Sequence, residues 1–291
     1  METANGKIKG AIWILIAAFC FALMNALAKE IPQTDGGGIP VLQLALARYA
    51  VAALVLLPLV LSRKSHWKPT HPERYFVRTI AGFGGIVLMF VAVNFVPLAA
   101  ATAIGFTSPI FAMLFAAWFL SERMNRRRWA IGCLGLIGAI VIAAPEGSGV
   151  SWAGLIPFAA AIFMGAEVTS IKWLSQSRDH AITIIFYSNL AGALLALIGA
   201  FPVWVEPTLH QLGLLTLLGT VAVIGQFCVL RGARLAEASF LAPLFYASLV
   251  YSALLGFVFF AEVPALTTVI GCLIILSCAF LLTREGRTQK A

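Results

Sequence analysis

Apolar residues run through this chain in long blocks separated by short polar segments. Each block is about 20 residues long, the length a helix needs to cross a hydrocarbon layer about 30 Å thick. The pattern predicts spans near 8–29, 39–61, 76–95, 98–120 and 127–144, then near 151–173, 180–203, 209–230, 236–260 and 264–283. Transmembrane strands would be about ten residues long with alternating polarity, and these blocks do not alternate. The expected fold class is an all-α integral membrane protein with ten transmembrane helices.

Composition agrees. Of 291 residues, 61% are hydrophobic and only 11% are charged, against about 25% charged in soluble domains. Mean hydropathy is +0.95. The net charge of +8 would suggest an anionic partner such as nucleic acid, but its placement says otherwise. With ten spans, 18 of the 20 lysines and arginines fall on one side, in Lys7–Lys9, Arg63–Arg78, Arg123–Arg128, Lys172–Arg178, Arg231–Arg234 and Arg284–Lys290. Lys29 alone falls on the other side, and Arg48 lies inside a span. Basic loops stay cytoplasmic, so both termini are expected in the cytoplasm of a multi-pass protein of the cell (inner) membrane. The basic charge is topological: the expected partner is the lipid bilayer, not nucleic acid. The first run reads as a span, not a cleaved leader, because the other nine keep this asymmetry only if the first stays in the membrane.

The chain also repeats itself. FLSERM (119–124) matches FFAEVP (259–264), which sets Glu122 over Glu262. IGCLGLIGAIVI (131–142) matches IGCLIILSCAFL (270–281), and PLAAAT (97–102) resembles RLAEAS (234–239). The linker PEGSGVS (145–151) falls where the repeat begins again. The expected domains are 1–145 and 146–291, five spans each. An odd number of spans forces the second copy in upside down, and inverted repeats around a midplane site are a secondary-transporter architecture. Glu122 and Glu262, at equivalent helix ends, are expected to bond a following turn or neighbouring loop.

The segments RYAVAALVLLPL, VPLAAATAIGFTSPIFAMLFAAWFLSERMNRRRWAIGCLGLIGAIVI and APLFYASLVYSALLGFVFFAEVP make the chain similar to the EamA family of the drug/metabolite transporter superfamily. The resemblance covers nearly the whole chain. It implies ten helices around a central cavity, with no ATPase and no tightly bound cofactor. It leaves the cargo open among amino acids, sugars, nucleotide-like cofactors and S-adenosylmethionine.

Polar residues inside the spans are the candidate site, because a charged side chain at mid-bilayer costs on the order of 3 kcal/mol or more. Arg48 lies near mid-depth, with Asn189 as its repeat counterpart. It either faces the cavity, pairing a cargo carboxylate or holding a charged gate, or bonds helix ends exposed by breaks. Glu167 is the one carboxylate deep in a span. Three roles fit it: coupling transport to protons, binding a cargo ammonium, or pairing a buried cation such as Arg48. Asn25, Asn94, Asn189 and Gln226 are neutral hydrogen-bonding groups that suit helix glue or a cavity lining. Pro109 and Pro243 fall inside the fourth and ninth spans, where each removes a backbone donor; they are candidate hinges. Phe106, Ser108, Tyr246 and Tyr251 lie nearby and suit ring stacking or ordinary packing. Gly132, Gly135 and Gly138 permit close helix approach.

Other classes lack their residues. The five cysteines have no metal-ligand spacing, so no metal is expected. The four histidines, His66, His71, His180 and His210, lie in or beside loops without a carboxylate partner at ligand spacing, so no enzymatic centre is expected. A channel or sensory module would need a filter loop, a row of voltage-sensing arginines or a soluble output domain. The expectation is a secondary transporter, exporter or exchanger, acting by alternating access, as a monomer and with protons as the candidate coupling ion. One Arg and one Glu suit a zwitterion, hence amino acids or close derivatives. The alternative is a larger ring-bearing cargo such as S-adenosylmethionine or riboflavin.

Overall fold

The computed structural model describes residues 4–34, 38–61, 71–119, 126–143, 152–175, 181–235 and 242–288. Glu122 and the 145–151 linker lie outside the described residues. The elements are α1 (Ala4–Glu30), α2 (Val41–Leu61), α3 (Pro72–Phe95), α4 (Leu98–Gly105), α5 (Ser108–Phe119), α6 (Arg126–Ala143), α7 (Trp152–Ser175), α8 (Ala181–Ala200), α9 (Leu209–Leu235), α10 (Ala247–Phe260) and α11 (Leu266–Thr288). Among the described residues there is no strand. Among the described residues seven helical spans are long and apolar enough to cross a membrane, and shorter apolar helices cover Ala130–Ile142, Leu244–Phe260 and Leu266–Cys278. Large apolar side chains such as Leu54, Ile198, Phe257 and Val258 face outward, as lipid-facing positions require.

The helices associate in a definite set of pairs. α1 packs on α9, α3 on α7, α2 on α8 and α6 on α11, with α5 against α7 and α1 against α10. The main core joins α1, α2, α3, α4, α7, α8 and α9 around Phe90, Leu44, Leu98 and Leu218. Lipid supplies little hydrophobic force between helices, so close packing over small residues does that work. At Gly165 of α7 an added Cβ would lie 2.5 Å from the Phe111 Cβ and 2.7 Å from the Ala112 N. At Gly138 it would lie 3.0 Å from Ile274 and Ile275 of α11, so the glycine series of α6 is a packing face as expected.

Both proline-bearing spans are irregular. The fourth is divided at residues 106–107, where the Phe106 N–H donates to the Thr102 and Ala103 carbonyls at 3.1 Å and Thr107 N–H to the Ile104 carbonyl at 2.9 Å. Pro109, without an N–H, cannot serve the Gly105 carbonyl, and the helix restarts as α5. The Thr107 hydroxyl also donates to the Ile104 carbonyl, at 2.7 Å. Pro243 sits in a 3-10 segment, Ala242–Tyr246, that leads into α10. Pro109 thus lies just past a turn that divides its span, and Pro243 lies in a tightened turn.

One end of the bundle is tied by polar contacts. α10 stops at Ala261, whose φ of 51° is left-handed, and the turn aims Glu262 back at the protein. Glu262 Oε2 accepts from the Leu98 N–H at 2.8 Å, which caps α4, and Oε1 accepts from the Lys29 ammonium at the end of α1. The lone cation expected on this side is thus an internal partner. Glu262 bonds a neighbouring turn as the sequence suggested. Nearby, Gln43 exchanges two hydrogen bonds with the Val205 backbone, at 2.8 and 3.1 Å.

Both members of the Lys29–Glu262 pair are largely buried, at 11% and 15% side-chain exposure, and removing one partner of such a pair is costly. Glu262→Ala is expected to lower unfolding stability by about 3 kcal/mol, read from unfolding midpoints in detergent. Lys29→Met is expected to lower it less, since it leaves the α4 cap in place.

A polar hollow between α2, α3, α7, α8 and α9

Five helices bring polar side chains to one place. Arg48 and Tyr49 come from α2, Arg78, Thr79 and Gly82 from α3, Glu167 from α7, Ser188 and Asn189 from α8, and Gln226 from α9; together they line a hollow of about 270 Å³, its open mouth included. Arg78 is six residues from the start of α3 and Glu167 eight from the end of α7. At 1.5 Å per residue that is about 9–12 Å inside the bundle.

The backbone makes room for this cluster. Gly82 has no side chain, and a Cβ there would lie 3.0 Å from the Glu167 carboxyl carbon. A Cβ at Gly192 of α8 would meet the Tyr49 ring at 2.7 Å, and one at Gly219 of α9 would meet the Ala47 carbonyl at 2.7 Å. α2 is therefore held tightly between α8 and α9, and Arg48 points inward.

The cation that pairs with Glu167 is Arg78, its Nη2 3.7 Å from the Glu167 Oε1. The sequence counted Arg78 with the loop cations and offered Arg48 as the partner. Arg78 instead lies within α3, because a carboxylate on the facing helix offsets its burial. Arg48 is 7% exposed. Its Nε and Nη1 have no hydrogen-bond partner, and its guanidinium sits 4.4 Å from the centre of the Tyr49 ring. The Arg78 Nε, Thr79 hydroxyl, Ser188 hydroxyl and Asn189 Oδ1 are also buried without partners. Asn189 spends its Nδ2 on the Ile185 carbonyl at 2.8 Å.

Four of the sequence candidates therefore meet here: Arg48, Glu167, Asn189 and Gln226. The others do not line the hollow. Asn25 is buried in α1 with its Oδ1 unpartnered. Asn94 donates to the Phe90 carbonyl of its own helix at 2.7 Å. Phe106 and Tyr246 pack on each other, ring centres 4.9 Å apart, where the two irregular spans meet. Tyr251 meets Phe19 edge-on at 5.5 Å, and Ser108 is half-buried at the start of α5. Sequence reasoning missed Tyr49, Arg78, Thr79 and Ser188. Tyr49 and Ser188 directly adjoin residues it chose. Arg74, Arg78 and Gly82 recur at four-residue steps, which sets them on one helical face. Among the described residues no group of three or more His, Cys, Asp or Glu could hold a metal ion.

The ion-pair geometry predicts a double-mutant cycle. Arg78 and Glu167 are expected to show a coupling of about 1–2 kcal/mol, and Arg48 and Glu167 less than about 0.5 kcal/mol, in unfolding of the detergent-solubilised protein. A larger coupling for the Arg48 pair would contradict the observed partnership.

The pattern of the EamA-like transporter family matches residues 8–144 and again 148–284. The chain is 29% identical over 295 residues to a riboflavin transporter of Vibrio cholerae, spanning 100% of this chain and 98% of that one. It is 31% identical over 284 residues to a pseudopaline exporter of Pseudomonas aeruginosa, covering 97% of each. An S-adenosylmethionine uptake transporter of Rickettsia prowazekii is 26% identical, covering 98% of this chain and 96% of that one. A crystal structure with 22% identity superposes with a TM-score of 0.63 over 100% of this chain and 99% of its own, a likeness of fold. With its family pattern met twice along an all-helical, membrane-spanning chain, this protein belongs to the EamA-like transporter family and is a transporter, not an enzyme.

Proposed function

We propose that this chain is a secondary transporter of small metabolites, exporter or exchanger, and that the hollow between α2, α3, α7, α8 and α9 holds the cargo. The observation that carries this reading is the set of buried, unpartnered polar atoms around Arg48. Burying such groups costs free energy unless something bonds them, and a polar cargo does so when it binds. The relatives support a small-molecule cargo, being named for riboflavin, pseudopaline and S-adenosylmethionine.

The architecture proposed is ten spans in two inverted five-helix repeats, 1–145 and 146–291. α4 with α5 forms the fourth span, and the 3-10 segment with α10 the ninth. The helix pairs support this arrangement. An inverted repeat exchanges the first span with the sixth and the third with the eighth, so α1 on α9 must be matched by α3 on α7, as observed. It likewise matches α5 on α7 with α1 on α10. Alternating access then comes from rocking one half on the other. The basic loops support cytoplasmic termini in an inner membrane. The protein acts as a monomer, since the hollow is built within one chain. If protons drive transport, Glu167 is the group in the hollow that would carry them.

Amino acids or close derivatives are the proposed cargo, their carboxylate held by Arg48. A ring-bearing cargo is the second reading, favoured by Tyr49 in the wall of the hollow. Counterflow in proteoliposomes loaded with amino acids, S-adenosylmethionine, riboflavin or sugars, with and without a pH gradient, tests both. The expected result is saturable amino-acid exchange that falls at least about tenfold in Arg48→Met, the loss of one charge-assisted contact. Exchange confined to riboflavin or S-adenosylmethionine would favour the ring-bearing cargo. Exchange untouched by Arg48→Met would remove Arg48 from the site.

A further inference from the structure

A zwitterion needs one cationic and one anionic partner, and the hollow has already spent its carboxylate. Two guanidinium groups, Arg48 and Arg78, line it against the single carboxylate of Glu167. Glu167 faces Arg78 at 3.7 Å. What remains is Arg48, 7% exposed, with two of its nitrogens, Nε and Nη1, unbonded. An unpaired guanidinium at this depth is the most expensive feature of the site. Tyr49 compensates in part by offering its ring face to that cation at 4.4 Å. A carboxylate on the cargo would compensate further, accepting a charge-assisted hydrogen bond from one of these unbonded nitrogens. The Ser188 and Thr79 hydroxyls are further donors left open. A cargo ammonium meets the opposite situation. It must compete with Arg78 for Glu167, and it adds a positive charge to a site that already holds a surplus one.

Resting on the reading of the hollow as the cargo site, we infer that this transporter selects organic anions: carboxylates whose amine is absent or masked, in preference to zwitterions and cations. Arg48 is the specificity-determining residue. The Arg78–Glu167 pair acts as a plug against cationic cargo. Among close derivatives of amino acids, the class singled out is the N-acylated or deaminated acid.

The test uses side-chain-matched sets that differ only in charge. For leucine, phenylalanine and alanine, the N-acetyl acid is the anion, the free amino acid the zwitterion, the amino-acid amide the cation and the N-acetyl amide the neutral control. Each is titrated against the purified full-length protein in detergent, following its thermal unfolding midpoint, and then used as counterflow substrate in proteoliposomes. In at least one set the anion is expected to half-saturate at a concentration at least tenfold below the zwitterion, with no shift from the cation. Glu167→Gln is expected to tighten anion binding several-fold, because it removes the internal competitor. Arg48→Met is expected to abolish anion binding, and Arg48→Lys to retain part of it, because charge remains while the planar fork is lost. The Glu167→Gln arm decides the matter even if Arg48→Met fails to fold.

Tighter binding of the zwitterion, lost in Arg48→Met, would overturn the anion inference and leave the hollow as the cargo site. Anion binding that neither Arg48→Met nor Glu167→Gln alters would overturn both. No anion-dependent shift in any set would overturn the inference outright.

Discussion

Charge inside an apolar bundle must be bonded, and that requirement organises the centre of this protein. Arg78 is acceptable within α3 because Glu167 faces it from α7. α3 makes room for the pair at Gly82, where a Cβ would crowd the carboxylate. The same economy brings α2 to its place. Without Gly192 and Gly219 the helix could not approach α8 and α9 so closely, and Arg48 would not reach the hollow. The glycines are thus part of the electrostatics: they set how near the charges stand.

The irregular spans follow from the companion rule for the backbone, that every N–H and C=O in lipid needs an internal partner. The break before α5 lies where all eight residues of α4 are buried. Thr107 adds a hydroxyl bond to the Ile104 carbonyl there, and Phe106 packs on Tyr246. At the tied end, Glu262 satisfies the first amide of α4 and the ammonium of Lys29 with its two oxygens. One carboxylate thereby holds three segments that are far apart in sequence.

Much of this was legible before any coordinates. The apolar blocks are as long as the membrane is thick, so an all-helical membrane-spanning fold could be read from length alone. Arg48, Glu167, Asn189 and Gln226 stood out because polarity at mid-span is rare. The partner of Glu167 did not. Arg78 lies two residues inside its apolar run, where a long cationic side chain ordinarily snorkels to the surface, and only the facing helix reveals that it turns inward. Tyr49 was masked by its neighbour, being an ordinary core residue in every respect except where α2 points it. The aromatic candidates stand away from the hollow. Phe106 and Tyr246 do meet at the proline sites, but the meeting seals two irregular spans instead of opening a pocket.

The surplus guanidinium has an electrical side. In the proposed transport cycle the hollow is neutral when it carries an anion and bears one positive charge when empty. Moving a unit charge through the full membrane potential is worth about 2.3 kcal/mol per 100 mV. An inside-negative potential would therefore hold the unloaded carrier with its charge toward the cytoplasm and resist its return. The loaded carrier would feel almost none of that field. One unpaired arginine would thus make the protein a good exchanger and a poor uniporter, with the voltage acting on the empty half of its cycle.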